Sequence, residues 1–284
     1  ARYASTRLPG KPLLDIGGRS MGMRVWDGAL RSKSLTDLVV ATDDERIMAH
    51  VTEHGGKAVL TSAGHPSGTD RCHEALMKHG GRFDALVNVQ GDQPFVDPRQ
   101  IDQVCEMLSD PTVAIATLAA VITNDRDIDD PGEAKIIVDH AMNALYFSRA
   151  PIPHQHRPSD KSRTDRFRYL KHVGLYAYRT SALERVVQLP PSALELAESL
   201  EQLRWLEAGF RIRVGITDIE PFCVDTMADL EEARRRCLTL LAATAPFTFQ
   251  LSVFHFRFPL LHLLSGKAII LVYNERMIGC STKT

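Results

Sequence analysis

The feature that most constrains the fold is a regular alternation of short apolar runs with longer amphipathic runs. Apolar, strand-like runs occur at 38–42, 57–61, 84–90, 113–122, 134–139, 143–148, 172–178 and 211–217. Most of them are followed by a helix-like segment, of which residues 192–209 and 225–243 are the longest. This alternation predicts an α/β fold with a mostly parallel sheet covered by helices. Ligands of such sheets bind at the carboxyl ends of the strands.

Charge and cysteine usage exclude several classes of protein. The 284 residues carry a formal net charge of -1, which argues against a general binder of nucleic acid or anionic membranes, so any anion site must be local. The 5 cysteines form no CxxC pair, so we expect no structural zinc site, and scattered thiols suit a reducing, cytoplasmic location. Residues 237–256 lack charged side chains, but Pro246, Gln250 and His255 argue against a membrane span.

The first twelve residues, ARYASTRLPGKP, have the composition of a phosphate-binding loop. Cationic side chains match phosphate charge, hydroxyls add hydrogen-bond donors, and a turn at Pro9 and Gly10 can present backbone N–H groups to an anion. The candidate ligands are Arg2, Ser5, Thr6, Arg7 and Lys11. The loop is not a Walker A motif, because its lysine is followed by Pro12 and the first glycine is missing. The alternative is a solvated basic segment.

Two carboxylates are candidates for binding Mg²⁺. In NVQGDQP (88–94), an apolar strand ends at Gln90 and is followed by a glycine and Asp92, a position suited to a metal ligand. Asp225, in CVDTMADLEEA, follows a short apolar stretch and precedes a helix. Mg²⁺ bound to phosphates usually takes one or two carboxylates. The alternatives are a turn aspartate at 92 and a helix cap formed by Asp225 or Thr226.

The segment HPSGTDR (65–71) opens a helix and contains further candidates. Ser67, Gly68 and Thr69 can offer donors to a base or a phosphate, and Arg71 can reach a carboxylate or a phosphate. The alternative is an ordinary helix N-cap with Asp70 in the first turn.

Polar and aromatic side chains share a face of the strand in KHVGLYAYR. With a period of two, His172, Gly174, Tyr176 and Tyr178 point the same way, which suits a polyhydroxylated ligand or a wet sheet edge.

The helix predicted for residues 192–209 offers a second polar set. Glu198, Glu201 and Gln202 are spaced three and four apart, so they share a side of that helix. A solvated face is the alternative. Residues 150–170 lie between the strand-like runs 143–148 and 172–178. They are polar, basic and proline-rich and indicate a mobile excursion from the sheet.

Together these segments resemble one family, the 3-deoxy-manno-octulosonate (Kdo) cytidylyltransferases. The matching segments, in order, are ARYASTRLPGKPL, VVATDDERI, HPSGTDR, VNVQGDQP, ALYFSRAPIP, KHVGLYAYR, LAESLEQLR and VDTMADLEEAR. The LPGKP loop marks only the broader nucleotidyltransferase superfamily, and the later segments narrow the resemblance to Kdo. The resemblance covers about residues 1–237 and implies a Rossmann-like mixed, mostly parallel sheet of the nucleotide-diphospho-sugar transferase type.

The resemblance implies that CTP and Kdo react to CMP-Kdo and pyrophosphate, for lipopolysaccharide biosynthesis, with Mg²⁺ as cofactor. The implied catalytic residues are Arg7, Lys11, Asp92 and Asp225, the last two as metal ligands. The implied nucleotide ligands are Arg2, Ser5, Thr6, Lys11, Ser67, Gly68 and Gln90. The implied sugar ligands are Arg71, Gln90, Arg149, His172, Tyr176, Glu201 and Gln202. A homodimer formed through residues 140–180 is also implied. The rivals are a sialic-acid type cytidylyltransferase and a catalytically impaired nucleotide-binding relative.

The two ends of the chain depart from the family's pattern. Relatives have an apolar strand ahead of the opening loop, and residues 244–284 match no part of the family, so we assign 1–243 to the catalytic domain and leave 244–284 as a divergent tail of unknown structure. We expect the slot of the first strand to be open or partly collapsed, with residues 1–11 in a family-like position but loosely held. The alternatives are a strand that precedes residue 1 in a longer chain, and insertion of KAIILVY (267–273) into the slot in parallel.

Overall fold

The computed structural model describes residues 8–157, 159–243 and 268–273. The strands in these residues are β1 (Asp37–Thr42), β2 (Ala58–Leu60), β3 (Ala85–Gln90), β4 (Ile115–Val121), β5 (Lys135–Val138), β6 (Ala144–Ser148), β7 (Leu170–Arg179), β8 (Ile212–Thr217) and β9 (Ala268–Tyr273). The helices are α1 (Met21–Ala29), α2 (Glu45–Glu53), α3 (Gly68–His79), α4 (Pro98–Met107), α5 (Asp125–Asp129), α6 (Arg163–Arg166), α7 (Thr180–Val186), α8 (Ala193–Glu198), α9 (Gln202–Glu207) and α10 (Met227–Ala243), with a 3-10 turn at Lys11–Leu13.

The strands form one mixed, mostly parallel sheet, which confirms the predicted fold class. The order across the sheet is β2-β1-β9-β3-β7-β4-β8, with β5 pairing with both β6 and β7. β7 runs antiparallel to its neighbours β3 and β4, whereas the pairs β1–β2, β1–β9, β3–β9 and β4–β8 are parallel. The carboxyl ends of β1, β9, β3 and β4 therefore lie at one edge of the sheet.

The slot between β1 and β3 is filled by β9, so our expectation of an open or collapsed slot is wrong. β9 pairs in parallel with β1 over Asp37–Val40 and with β3 along its whole length, from Ala85↔Ala268 to Gln90↔Tyr273. Its start is held by Thr36, whose N–H donates to the Ala268 carbonyl (2.8 Å) and whose Oγ1 accepts from the Ala268 N–H (3.1 Å). The physical reason is that an apolar, β-branched run satisfies the backbone groups of both neighbours in a buried position. Of the predicted tail, residues 244–267 and 274–284 lie outside the described residues.

The core has two apolar layers, one on each face of the sheet, and neighbouring residues of a strand alternate between them. Val87 and Ala268 belong to the layer under α1 and α4, whereas Leu86 and Ile269 belong to the layer that contains Trp205. Ala268 and Ile269 are 1% and 0% exposed, so β9 contributes to both layers.

The single long helix predicted over residues 192–209 is in fact two helices, α8 and α9. Ser192 and Glu195 form a capping box at the start of α8, and Ser199 ends it in the left-handed conformation, with φ 52°. The break separates Glu198 from Glu201. The Glu198 carboxylate accepts hydrogen bonds from Ser148 Oγ and the Arg149 N–H, so the predicted shared side of the helix is wrong for that residue.

No helix within the described residues is long and apolar enough to cross a membrane. Most of the uncharged segment 237–256 lies outside those residues.

Candidate active site

A lysine and two aspartates meet at the carboxyl edge of the sheet, as the sequence predicts. Asp92 follows β3, and Asp225 comes just before α10. The Val224 N–H donates to the Asp92 carbonyl (2.9 Å), which ties the two aspartate-bearing segments together. Lys11 Nζ lies 3.3 Å from Asp92 Oδ2 and 2.9 Å from Asp225 Oδ1. All three side chains are largely buried, so the structure brings them together as a desolvated charge cluster.

The backbone around Lys11 is held by a short turn. Gly10 has φ 67°, a left-handed conformation that glycine adopts at little cost, and it begins the 3-10 turn. The Leu13 N–H donates to the Gly10 carbonyl (2.8 Å), and the Leu14 N–H donates to the Lys11 carbonyl (3.2 Å). A Cβ at Gly22 would lie 3.2 Å from the Pro12 carbonyl oxygen, so α1 approaches the turn closely. The turn therefore aims Lys11 at the carboxylates.

Burial and charge set the ionisation of the cluster. Burial lowers the pKa of Lys11, but Asp92 and Asp225 outweigh it, and the pKa ends above its ordinary value. Burial raises the pKa of Asp92, against the opposing effect of Lys11. Two carboxylates and one ammonium thus share this buried site.

The donor set of this cluster fits Mg²⁺. Carboxylate oxygens are the ligands that this ion prefers, and the ammonium of Lys11 already occupies the place between them that a cation takes. The described residues contain no group of three or more His, Cys, Asp or Glu side chains able to hold a metal ion. A site with only two carboxylates suits Mg²⁺, which keeps several waters and completes its coordination with substrate phosphates.

A second polar cluster lies beside the first, between β7, β4 and the α8–α9 pair. Tyr176 pairs with Asn88 of β3, four residues before Asp92. The Tyr176 ring centroid lies 5.2 Å from those of His172 and Trp205, and His172 Nε2 lies 3.0 Å from Thr117 Oγ1. The predicted proximity of His172, Tyr176 and Tyr178 is confirmed, and all three are buried rather than at a wet edge.

Gln202 is the residue of this second cluster that points most directly to a ligand. It is 0% exposed, and within the described residues neither its amide oxygen nor its amide nitrogen has a hydrogen-bond partner. Buried polar atoms of native proteins are nearly always hydrogen-bonded. The unpaired amide therefore indicates a polar molecule, a ligand or water, beside it.

Burial favours the uncharged form of both Glu201 and His172. It raises the pKa of Glu201 to about 7, despite the hydrogen bond from Thr69 Oγ1 (2.8 Å) to its carboxylate. It lowers the pKa of His172 to about 3, so this imidazole is neutral at physiological pH. The cluster thus presents a neutral ring and a carboxyl that exchanges a proton near neutrality, which suits hydrogen bonds to hydroxyl groups.

Two other predicted site residues, Arg71 and Arg149, form hydrogen bonds with other parts of the protein. Arg71 is fully buried, and its guanidinium donates to Asp43 Oδ2 (2.9 Å) and Thr61 Oγ1 (2.7 Å). Arg149 Nε donates to the Glu198 carbonyl (2.7 Å), and Nη1 donates to the Pro131 carbonyl (2.9 Å). Both arginines are therefore held by hydrogen bonds within the protein.

The remaining predictions concern the helix α3, β3 and the opening loop. Ser67 is the N-cap of α3, with its Oγ accepting from the Asp70 N–H (3.2 Å), as the structural alternative proposed, and Gly68 begins the helix. Gln90 ends β3 opposite Tyr273. Arg2, Ser5, Thr6 and Arg7 lie outside the described residues.

Sequence reasoning missed the residues that support these clusters. Asp43 follows β1 as Asp92 follows β3, so the same strand-end pattern could have identified it as a site-edge carboxylate. Thr117 and Trp205 carry no comparable signal, because a strand hydroxyl and a helical tryptophan become informative only once the fold brings them to His172 and Tyr176.

Comparison with known proteins confirms the resemblance seen in the motifs. Residues 1–213 match the family model described as Cytidylyltransferase. The chain is 50% identical over 236 residues to a 3-deoxy-manno-octulosonate cytidylyltransferase of Bacteroides thetaiotaomicron, covering 82% of this chain and 94% of the relative. It is 51% identical over 241 residues to the same enzyme of Rhodopseudomonas palustris (strain BisB5), covering 83% of this chain and 94% of that relative.

A solved structure supports the same assignment. The structure of CMP:2-keto-3-deoxy-manno-octonic acid synthetase complexed with CTP superposes with a TM-score of 0.77 at 42% identity, covering 86% of this chain and 97% of that one. A glucose-1-phosphate thymidylyltransferase from Bacillus anthracis, at 16% identity and a TM-score of 0.56, shares the fold.

Proposed function

We propose that the protein transfers the cytidylyl group of CTP to the anomeric hydroxyl of Kdo, forming CMP-Kdo and pyrophosphate, because the chain belongs to the cytidylyltransferase family. The observation that carries this proposal is the buried cluster of Lys11, Asp92 and Asp225 at the carboxyl edge of the sheet. Open α/β sheets bind nucleotides at this edge. The similarity to a relative solved with CTP supports the choice of nucleotide.

Asp92 and Asp225 are the proposed ligands of Mg²⁺, and Lys11 is the proposed ligand of the triphosphate. Bound Mg²⁺ supplies charge neutralisation of the phosphates and lowers the pKa of a coordinated hydroxyl. Lys11 places a positive charge where pyrophosphate leaves, in a desolvated site where such charge acts strongly. The attacking hydroxyl displaces pyrophosphate from the α-phosphorus, so the protein mainly positions groups and neutralises charge.

The second polar cluster is the proposed site of the sugar acid. Gln202 presents an unpaired amide, and Glu201 and the neutral His172 can exchange hydrogen bonds with hydroxyl groups. Its position along β3 and β7 lies a few residues from Asp92, which suits a sugar whose anomeric hydroxyl must reach the α-phosphate. We propose a homodimer through residues 140–180 and a cytoplasmic location on the basis of the resemblance alone.

A pyrophosphate-release assay tests this function. The protein is incubated with CTP, Mg²⁺ and either Kdo or sialic acid, and omission of each component serves as the control. We expect release with Kdo only, and the product should be CMP-Kdo by mass spectrometry. Preferred turnover of sialic acid would favour the first rival. CTP binding without release with either acid would favour a catalytically impaired nucleotide-binding protein.

A further inference from the structure

The position of Lys11 between the two aspartates raises a question that the proposed transfer reaction leaves open. Its Nζ lies 2.9 Å from Asp225 Oδ1 and 3.3 Å from Asp92 Oδ2. A divalent cation held by the same two oxygens needs the space between them, at about 2.0–2.1 Å from each for Mg²⁺. An ammonium and a divalent cation therefore compete for one place.

The two partners of this contact differ in their freedom to move. The aspartates lie on segments joined by the hydrogen bond from the Val224 N–H to the Asp92 carbonyl, and the Asp225 N–H donates to Asp229 Oδ2 (3.1 Å). Lys11 reaches them through a flexible four-carbon side chain, although its backbone is held by the 3-10 turn. When a divalent cation enters, the lysine ammonium is the group that can leave.

We propose that Lys11 guards the cation site: without nucleotide its ammonium occupies the place of the divalent cation, and with nucleotide it moves to the triphosphate. The inference rests on the proposed function, which supplies the nucleotide and the two metal ligands. The triphosphate offers the displaced ammonium a new anionic partner, so nucleotide binding and cation binding favour each other. The enzyme then binds the divalent cation weakly until CTP is present.

Mn²⁺ binding in the absence of nucleotide tests the guard. Free Mn²⁺ is measured by electron paramagnetic resonance for the wild type, Lys11→Met and a control, Lys33→Met, which removes one charge from an exposed site. Methionine keeps an unbranched, flexible side chain and lacks the ammonium. We expect Lys11→Met to bind Mn²⁺ at least tenfold more tightly than the wild type, and Lys33→Met to match the wild type. Adding CTP should tighten Mn²⁺ binding more in the wild type than in Lys11→Met.

Salt separates direct competition from long-range repulsion. At about 1 M salt the screening length falls to about 3 Å, so repulsion between separated charges is lost while competition for one place persists. The tenfold gain should therefore survive high salt. Equal Mn²⁺ affinity in Lys11→Met and wild type, or a gain that disappears in high salt, overturns the guard.

Folding defects and failure of the proposed function give distinct results. Removing Lys11 takes its ammonium away from two largely buried carboxylates, so the variant is less stable, and Mn²⁺ alone should raise its Tm by more than that of the wild type. Absence of such a rise also overturns the guard. If the wild type releases pyrophosphate with Kdo but Lys11→Met shows no gain in Mn²⁺ affinity, only the guard fails. If the wild type binds no Mn²⁺ even with CTP, the metal-dependent function and the guard both fail.

Discussion

Replacing Ile269 by alanine should lower the free energy of unfolding by about 3 kcal/mol. The side chain is 0% exposed and belongs to the apolar layer that also contains Leu86 and Trp205. Deleting buried methyl and methylene groups costs the lost transfer free energy plus a cavity term, about 2–5 kcal/mol for isoleucine to alanine. Domains of this kind are stable by about 5–15 kcal/mol, so the change is a large fraction of the total. The sequence alone assigned this residue to a tail of unknown structure.

Urea unfolding followed by circular dichroism measures the effect. The matched control is Leu196→Ala, because Leu196 is 69% exposed on α8 and its truncation should change stability by less than about 0.5 kcal/mol. Equal midpoints for Ile269→Ala and Leu196→Ala would refute the placement of β9 in the sheet.

Removing β9 altogether should be more severe than the single truncation. Its loss strips backbone partners from β1 and β3 along the register from Ala268 to Tyr273. Each buried N–H or C=O left unpaired costs about 1–3 kcal/mol, so several together approach the whole stability of a domain. A chain that ends at residue 243 should therefore fail to fold, and a folded, CTP-binding product of that length would contradict the reasoning.

Three further results are expected from the two polar clusters. Asp92→Asn and Asp225→Asn should each remove most of the pyrophosphate release while circular dichroism stays close to wild type, because a charged ligand is lost at nearly constant size. The folded-state pKa of Glu201, about 7, exceeds its ordinary 4.5, so stability should fall as pH rises through 4.5 to 7, by up to about 3 kcal/mol. Glu201→Gln should abolish that fall in urea midpoints measured across pH, and an unchanged profile would exclude Glu201 as its source. Gln202→Met should raise stability by about 1 kcal/mol, since an unpaired buried amide is replaced by an apolar group of similar shape, yet should raise the KM for Kdo. An unchanged KM would argue against sugar contact.

The strands and most helices are predictable because the apolar positions of their sequence patterns are the positions that the fold buries. β3 is a mostly apolar strand that is buried on both faces and ends at Gln90, so its carboxyl edge, and Asp92 beyond it, follow from the sequence. The sequence predicts that Asp92, Asp225 and Lys11 lie near one another, because strand-end carboxylates and a basic loop share one edge of the sheet. The direct ion pairs of Lys11 with both carboxylates are not, because they depend on the side-chain conformation of one lysine.

The missed features depend on long-range packing. Ser199 breaks the helix in a stretch with no glycine or proline at the break, so no local signal indicates it. Arg71 and Arg149 are predicted anion ligands, and the structure adds hydrogen bonds from Arg71 to Asp43 and from Arg149 to the Pro131 carbonyl, which no local pattern indicates. KAIILVY indicates a strand by pattern, but pattern alone does not choose between an exposed strand and the slot beside β1.

The position of β9 also determines when the protein can fold during synthesis. Ala268 contacts Thr36 across 232 positions of sequence, and β1 and β3, made early, become neighbours only through a strand made late. Contacts between residues so far apart in the sequence slow folding, because a long loop of chain must close before these contacts can stabilise the fold. On the ribosome, β9 can join β1 and β3 only after residue 273 has emerged. Until then the pairing that β9 gives these two strands is missing, and an unpaired strand edge is a template for aggregation.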